Sequence, residues 1–309
     1  MTTWTAADIP SQRGRTALVT GANSGLGYET ALALARSGAQ VVMACRSPQR
    51  SQAALQSIRS QAPEAAVELL ALDLGSLAGV RAAAQEFQQR FGRLDLLINN
   101  AGMMAPPYGR TADGFETQFG INHLGHFALT GLLLPTLLAT PGSRVVTVSS
   151  MAARGGQINF ADLQSDKSYS RYGAYSQSKL ANLLFAFELG RRLAAAGRET
   201  LSLAAHPGLA RTDLQVRAGK AGSALERAFY RPLMGILAQS QAAGALPLLY
   251  AAIASPVDPA VCYAPSLREL RGTPKAWCAP AAAYDLETAR RLWEVSEELT
   301  SVVYNPLLA

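Results

Sequence analysis

A tyrosine and a lysine four residues apart could perform acid–base chemistry. Tyr175 and Lys179 lie in AYSQSKLANLLFAFELGRRLA, whose apolar spacing predicts a helix, and residues four apart share one helix face. A free phenol has a pKa near 10, so a shift of about 3 units, roughly 4 kcal/mol, is needed for this work. An ammonium about 4 Å away, in an effective dielectric constant of about 20, supplies about that much. The pair predicts a tyrosine whose pKa the lysine lowers; the alternative is a surface lysine beside a helical tyrosine.

Two serines follow the predicted buried strand Arg144–Val148. Ser149 and Ser150 would then lie at the carboxyl edge of a parallel sheet, where ligands of open α/β folds bind. A hydroxyl there could hydrogen-bond a substrate oxygen and stabilise the developing alkoxide. Ser150, one residue beyond the strand, is the preferred candidate and Ser149 the second. Taken alone, such a pair is more often a helix cap or a turn.

A glycine-rich turn, TGANSGLG at residues 20–27, lies where the first predicted strand meets the first predicted helix. Gly21 and Gly25 would permit backbone angles closed to other residues, and Gly27 would let the helix pack closely on the sheet. The free N–H groups and dipole of the helix N-terminus favour a phosphate. Because such glycine spacing also arises by chance, the strand–helix context carries the prediction of a dinucleotide site over an ordinary turn. The residues assigned to the cofactor here are Gly21, Asn23, Ser24, Gly25, Leu26 and Gly27.

The end of the second predicted strand, Ala-Cys-Arg-Ser at residues 44–47, bears on which dinucleotide binds. NAD-preferring folds usually place a carboxylate here, on the ribose 2′-OH. This sequence has no acid to repel a 2′-phosphate, and Arg46 offers a planar guanidinium suited to one, with Ser24 as an added hydroxyl. We predict NADP, with NAD the less favoured cofactor; Arg46 could instead be a solvated arginine at a strand end.

Two more turns follow predicted strands. NNAG at residues 99–102 could hold the wall of an adenosine pocket, or be a plain turn. Asp73, followed by Leu74, could accept a hydrogen bond from the adenine amino group, or cap a helix. The residues assigned to the cofactor here are Asp73, Leu74, Asn100, Ala101 and Gly102.

The elements that must position these groups alternate between short apolar runs and longer helical stretches. The predicted strands are Thr16–Thr20, Val41–Cys45, Val67–Ala71, Asp95–Ile98, Arg144–Val148 and Thr200–Ala205. Leu77, Val80, Ala84 and Phe87 repeat at helical spacing between two of them. This alternation predicts an α/β fold with a doubly wound parallel sheet. We predict one domain over residues 1–309, with a core at 14–265, a substrate loop at about 206–235 and a C-terminal helical extension at about 266–309.

The composition narrows the class of protein. Of 309 residues, 49% are hydrophobic and 16% charged, which excludes a disordered chain. The net charge of +6 comes from scattered residues, so we expect no nucleic-acid partner. Three cysteines without a CxxC pair predict neither a disulfide framework nor a metal site, and favour a reducing, cytoplasmic location. We expect no signal peptide and no membrane span, since no run approaches the about 20 apolar residues required.

These motifs, in this order, resemble the short-chain dehydrogenase/reductase family. The likeness rests on TGxxxGxG at residues 20–27, DL at 73–74, NNAG at 99–102, FGINHLGHF around Asn122, SS at 149–150, YSQSK at 175–179, and HPG at 206–208 with a following threonine. It covers roughly residues 14 to 215.

The resemblance implies roles for individual residues. Its catalytic tetrad would be Asn122, Ser150, Tyr175 and Lys179. Tyr175 would donate or take the proton, while Lys179 would lower its pKa, bind the nicotinamide ribose and join a water relay. Asn122 would hold a bent helix that anchors the water. The residues implied at the nicotinamide end are Pro207, Gly208 and Thr212.

One departure from the usual family pattern indicates which branch of the family the chain resembles. Tyr175 follows Ser150 by 25 residues, more than is usual in the family. The extra segment resembles the branch of retinol dehydrogenases, protochlorophyllide reductases and the WW-domain oxidoreductase. Vertebrate retinol dehydrogenases often carry an N-terminal membrane segment, which we do not find here, so the resemblance is not taken to imply a retinoid substrate.

The resemblance and the motifs together imply an NADP-dependent oxidoreductase that acts on a carbonyl or alcohol. The alternatives are reduction of a conjugated C=C bond and a non-catalytic dinucleotide-binding regulator. Met103, Met104, Pro106, Pro107 and Tyr108 should line the substrate pocket, or else pack in the core. Their apolar character predicts a lipophilic small-molecule substrate. A homo-oligomer is compatible with the sequence.

Overall fold

One eight-stranded sheet organises the computed structural model, which describes residues 4–210 and 238–307. Its strands are β1 (Thr16–Thr20), β2 (Gln40–Cys45), β3 (Val67–Ala71), β4 (Leu96–Asn99), β5 (Arg144–Val148), β6 (Leu201–Ala205), β7 (Cys262–Leu267) and β8 (Arg271–Trp277). They lie in the order β3-β2-β1-β4-β5-β6-β7-β8, all parallel except β8. From β1 the chain adds β2 and β3 on one side and then β4, β5 and β6 on the other, so the strand order reverses between β1 and β4. This arrangement confirms the predicted doubly wound α/β fold.

Helices cover both faces of this sheet. They are α1 (Gly25–Arg36), α2 (Pro48–Gln61), α3 (Leu77–Arg90), α4 (Thr117–Phe119), α5 (Gly125–Leu138), α6 (Arg171–Ala195), α7 (Gln241–Ile253) and α8 (Leu286–Thr300). In β1, Ala17 and Val19 pack into one apolar cluster and Leu18 into another, because successive side chains point to opposite faces. Burial on both faces explains why β1, β2 and β4 read as nearly continuous apolar runs, whereas the edge strand β3 is only partly buried.

The C-terminal part differs from the predicted helical extension. β7 and β8 form an antiparallel hairpin, with Cys262 opposite Trp277. Neither strand was predicted, because Pro265 and Pro274 argue against strand interiors, yet these two prolines lie opposite each other in the pairing. Helix α8 lies in the predicted extension and packs on the body through Ala289 and Trp293 among others. Leu286, at its first position, is 45% exposed.

A π-helical turn, Gly120–Leu124, joins α4 to α5 in one 22-residue helix, Thr117–Leu138. Among the described residues it is the one helix long and apolar enough to cross a membrane, a length the sequence analysis overlooked. Its most apolar window is 67% buried inside the protein, as in the core helix of a globular fold.

Candidate active site

The tyrosine–lysine pair lies in α6, against the carboxyl end of β5. Ser170 begins the helix by accepting a hydrogen bond from the Gly173 amide. Tyr175 and Lys179 are both buried, with the lysine Nζ 5.8 Å from the centre of the phenol ring. The Nζ also donates to the Val148 carbonyl at 3.1 Å. The helical spacing therefore brings the two groups together as predicted.

Burial, rather than the ammonium, sets the acidity of the phenol. Burial raises the pKa of Tyr175 above its ordinary value, and a hydrogen bond with Ser150 acts in the opposite direction. Burial also lowers the pKa of Lys179 from 10.5 to about 8. Both groups lose water on burial, so the pKa of each is shifted toward its neutral form; for Tyr175 this direction is opposite to the expected lowering by the ammonium.

The two serines separate into different roles. The Ser149 hydroxyl is buried and donates to the Lys179 carbonyl at 2.7 Å, so it ties β5 to α6. Ser150 hydrogen-bonds Tyr175 and also begins a 3-10 helix at Met151–Gly155 by accepting from the Ala152 amide. The helix-cap interpretation of Ser150 is therefore confirmed, and its contact with the substrate oxygen stays a prediction.

Asn122 lies in the π-helical turn. Its side chain is bound to both backbone groups of Met103: Oδ1 accepts from the amide at 2.8 Å, and Nδ2 donates to the carbonyl at 3.0 Å. Nδ2 also donates to the Ser178 hydroxyl of α6 at 2.9 Å. The irregular helix expected from the resemblance is present, and Asn122 joins it to the tyrosine helix and to the loop after β4.

A buried histidine connects this turn to the glycine-rich turn. The His126 Nδ1 donates to the Asn122 carbonyl at 3.0 Å, which leaves Nε2 to accept from the Thr20 hydroxyl at 2.9 Å. The same hydroxyl accepts from the amides of Asn100 and Ala101, both at 2.9 Å. No role was predicted for His126; its four-residue spacing from Asn122 was the one available signal in the sequence.

The glycine-rich turn has the close approaches that its sequence predicts. Gly21 and Gly25 have φ values of +67° and +61°, which other residues rarely adopt. A Cβ on Gly27 would lie 2.5 Å from the Gly21 carbonyl oxygen and 2.5 Å from the Asn100 Nδ2. Ser24 begins α1 without a side-chain capping bond, and the first amides of the helix have no partner within it. Asn23 and Leu26 lie half-buried in the same turn.

Arg46 extends from the end of β2 into solvent. Within the described residues, no ion pair or hydrogen bond engages its guanidinium, and no carboxylate occupies residues 44–47. Its surroundings leave it available to an anion on the glycine-turn side of the sheet.

The other assigned residues have mixed surroundings. Asn100 Nδ2 donates to the Thr20 carbonyl at 2.8 Å, so it supports the glycine turn. A Cβ on Gly102 would lie 3.6 Å from the Lys179 Nζ, which puts this backbone beside the catalytic candidate. Asp73 accepts from the Gly75 amide in a turn, while Ser76 caps α3, so the helix-cap interpretation of Asp73 is wrong. Leu74 is buried against α5 at Gly125.

The segment after β6 completes the edge. Gly208 has φ +65°, and the Pro207 carbonyl accepts from Gln239 Nε2 at 2.8 Å. Thr212 and residues 211–235 of the predicted substrate loop lie outside the described residues.

The predicted substrate wall follows β4. Met103, Met104 and Pro106 are half-buried, and Pro107 and Tyr108 are exposed, so none of the five lies in the core. Arg171, at the start of α6, donates to the Ala105 carbonyl at 2.7 Å. The tyrosine helix therefore anchors this wall. No group of three or more His, Cys, Asp or Glu suited to a metal ion occurs in residues 4–210 and 238–307.

This geometry defines a class before any comparison: a doubly wound sheet with a glycine-rich turn after β1, and Ser150 beside the buried Tyr175 and Lys179 between β5 and α6. The short chain dehydrogenase family model matches residues 15–221, so the chain belongs to the short-chain dehydrogenase/reductase family. It lies in the retinol dehydrogenase branch. Human retinol dehydrogenase 13 is 42% identical over 298 residues, 96% of this chain and 86% of that protein.

Two solved structures share this fold. An uncharacterised protein from Mycobacterium paratuberculosis has a TM-score of 0.81 and 44% identity, over 98% of this chain and 99% of that one. The NADP active-site complex of Pseudomonas aeruginosa RhlG has a TM-score of 0.55 and 26% identity, over 70% of this chain and 80% of that one.

Proposed function

We propose that this protein is an NADP-dependent oxidoreductase that interconverts the carbonyl and alcohol forms of a lipophilic small molecule, with Tyr175 as the acid–base group. The observation that carries the proposal is the cluster of the buried Tyr175 and Lys179 with the half-buried Ser150, at the same sheet edge as the glycine-rich turn. Membership of the family supports an enzyme of this class.

The glycine-rich turn fits a dinucleotide. Gly21 and Gly27 leave room that a Cβ would fill, and the N-terminus of α1 presents free amides to a pyrophosphate. Arg46 fits a ribose 2′-phosphate, and a relative at 26% identity is described as an NADP complex. The bound nicotinamide would supply or accept the hydride.

The protein's own residues handle the proton. Because its pKa is raised, Tyr175 is protonated near neutral pH and can donate to the oxygen of a carbonyl that is being reduced. Lys179, whose pKa is about 8, is mostly an ammonium at pH 7 and stabilises the phenolate left behind. The Ser150 hydroxyl can donate to the same developing negative charge. Oxidation of an alcohol reverses these transfers.

The substrate side is apolar. Met103, Met104 and Pro106 are partly exposed beside the site rather than packed in the core, which supports a lipophilic substrate. Relatives named retinol dehydrogenases support an alcohol or aldehyde of that kind. Cytoplasmic location, a single domain over residues 1–309 and a homo-oligomer stay predictions.

The activity is tested by following NADPH absorbance against a panel of aldehydes, ketones, quinones, enones and retinal. Tyr175→Phe is expected to lower kcat at least a hundredfold, since it removes the proton donor. Tyr172→Phe is the matched control, because Tyr172 lies one turn earlier in α6 and is 44% exposed. Turnover that survives Tyr175→Phe, or that appears only with enones, would contradict the carbonyl assignment.

The cofactor preference is tested separately with Arg46→Ala. A charge-assisted bond contributes about 1.5–3 kcal/mol, so NADPH binding should weaken roughly 10- to 100-fold while NADH binding stays unchanged. Arg290→Ala, which removes an exposed arginine from α8, is the control. Equal affinity of the native protein for both dinucleotides, unaltered by Arg46→Ala, would refute the preference.

A further inference from the structure

The hairpin of β7 and β8 places one carboxylate between two segments of the site. Glu269, at the hairpin turn, accepts a hydrogen bond from the His206 Nε2 at 2.9 Å and forms an ion pair with Arg154. The side chain of Glu269 is 13% exposed and that of His206 5%. Since the Gly208 amide donates to His206 Nδ1 at 3.2 Å, the ring carries its proton on Nε2 and donates it to the carboxylate.

The two partners of Glu269 lie in segments that follow two different strands, β5 and β6. Arg154 lies in the 3-10 helix that Ser150 begins after β5. His206 directly follows β6 and precedes Pro207 and Gly208. A dinucleotide in this fold lies across the reversal point of the strand order. With the adenosine half beside Arg46 on the β2 side, as proposed above, the segments after β5 and β6 would face the nicotinamide half.

Backbone contacts press the same hairpin onto the segment after β6. The Leu209 amide donates to the Leu270 carbonyl at 2.8 Å. A Cβ on Gly208 would lie 2.5 Å from that carbonyl oxygen and 2.7 Å from the Glu269 carbonyl oxygen. Gln239 joins both sides, since its Oε1 accepts from the Gly272 amide and its Nε2 donates to the Pro207 carbonyl. The hairpin turn is thus a backing for Gly208, and the Glu269 side chain extends this support to the Ser150 side.

The carboxylate is ionised in this setting. The hydrogen bond from His206, followed by the bond from Arg154, holds the pKa of Glu269 below its ordinary value. Removing a partly buried charge leaves its partners with unmet hydrogen bonds, which costs more than an exposed pair would.

We propose that Glu269 is a positioning residue that fixes the segments after β5 and β6 relative to each other and so shapes the site for the nicotinamide half of the dinucleotide. This inference rests on the proposed function, because it requires a dinucleotide. It does not require turnover.

The test compares two ligands that share the adenosine half. NADPH and adenosine 2′,5′-bisphosphate are titrated into the native protein and the variants Glu269→Ala, Glu269→Gln and Arg268→Gln. Glu269→Ala should weaken NADPH binding about tenfold, the lower end expected for a charged hydrogen bond, and leave the bisphosphate affinity unchanged. Glu269→Gln, which keeps an acceptor for His206, should lose less. Arg268→Gln is the control: Arg268 lies in the same turn but is exposed, so this variant should change neither affinity.

The outcomes distinguish a failure of the positioning role of Glu269 from a failure of the proposed function. NADPH binding unaltered in both Glu269 variants overturns the positioning role, as does an equal loss for the two ligands, which would show general damage. If Glu269→Ala does not fold, a selective loss of NADPH affinity in Glu269→Gln carries the test, and an unchanged affinity refutes it. If the native protein binds neither ligand, the proposed function is overturned. If it binds NADPH but reduces no carbonyl, the proposed function is again overturned, and the titration still decides the role of Glu269.

Discussion

Lowering the pH from 7 to 4.5 is expected to destabilise the protein through two buried histidines. Burial lowers the pKa of His123 from 6.5 to about 3 and that of His126 from 6.5 to about 4. In the unfolded chain both rings take a proton as the pH falls through 6.5, whereas the folded protein keeps them neutral. The stability that the neutral rings contribute is complete above pH 6.5 and is lost as the pH falls toward 4.

The size of this loss follows from the pKa differences. At pH 4.5, a ring with a pKa of 6.5 unfolded and about 4 folded reduces the free energy of unfolding by roughly 2.5 kcal/mol. His126→Asn removes this titration, and the asparagine amide can still donate to the Asn122 carbonyl in place of Nδ1. The free energy of unfolding of the variant should therefore fall by roughly 2.5 kcal/mol less than that of the native protein between pH 7 and 4.5.

Urea unfolding at each pH measures this difference, and the shared carboxylates cancel in the comparison. The chain has three histidines, so NMR of the ring protons gives a direct check in the native protein. Two of the three rings should keep constant shifts down to about pH 5. Equal pH dependence of native and His126→Asn proteins, or titration of His123 and His126 near pH 6.5, would refute the reasoning.

Two further predictions concern the site. Gly27→Ala should weaken NADPH binding more than tenfold, because the added Cβ would lie 2.5 Å from neighbouring atoms of the turn. Gly92→Ala is the control: its added Cβ meets no atom within 4 Å, so this variant should bind NADPH normally. Equal affinities of the two variants in a fluorescence titration would contradict the prediction. The kcat/KM for NADPH, which reports the free enzyme, should fall as the pH rises through about 8, because Lys179 loses its charge. The Lys179→Arg variant should show the same fall at higher pH. A flat profile from pH 7 to 10 would count against the role of the ammonium.

Local patterns were enough for the first six strands. Leu18 and its neighbours in β1 are buried on both faces, so their apolar runs carry a signal that does not depend on distant residues. β7 and β8 carry no such signal. Their pairing brings Pro265 opposite Pro274 and leaves much of β8 exposed, so the partner strand decides the conformation.

The site divides in the same way. Spacing within one helix or one turn determined that Tyr175 would lie beside Lys179, and that Gly21 and Gly25 would take left-handed backbone angles. Tertiary packing alone decided the direction in which the pKa values of Tyr175 and Lys179 shift, since burial depends on residues far away in the chain. It also decided that His126 would meet Thr20, 106 residues before it, and that Glu269 would meet Arg154, 115 residues before it. Contacts of that range follow from the order of strands in the sheet, which short-range residue patterns do not encode.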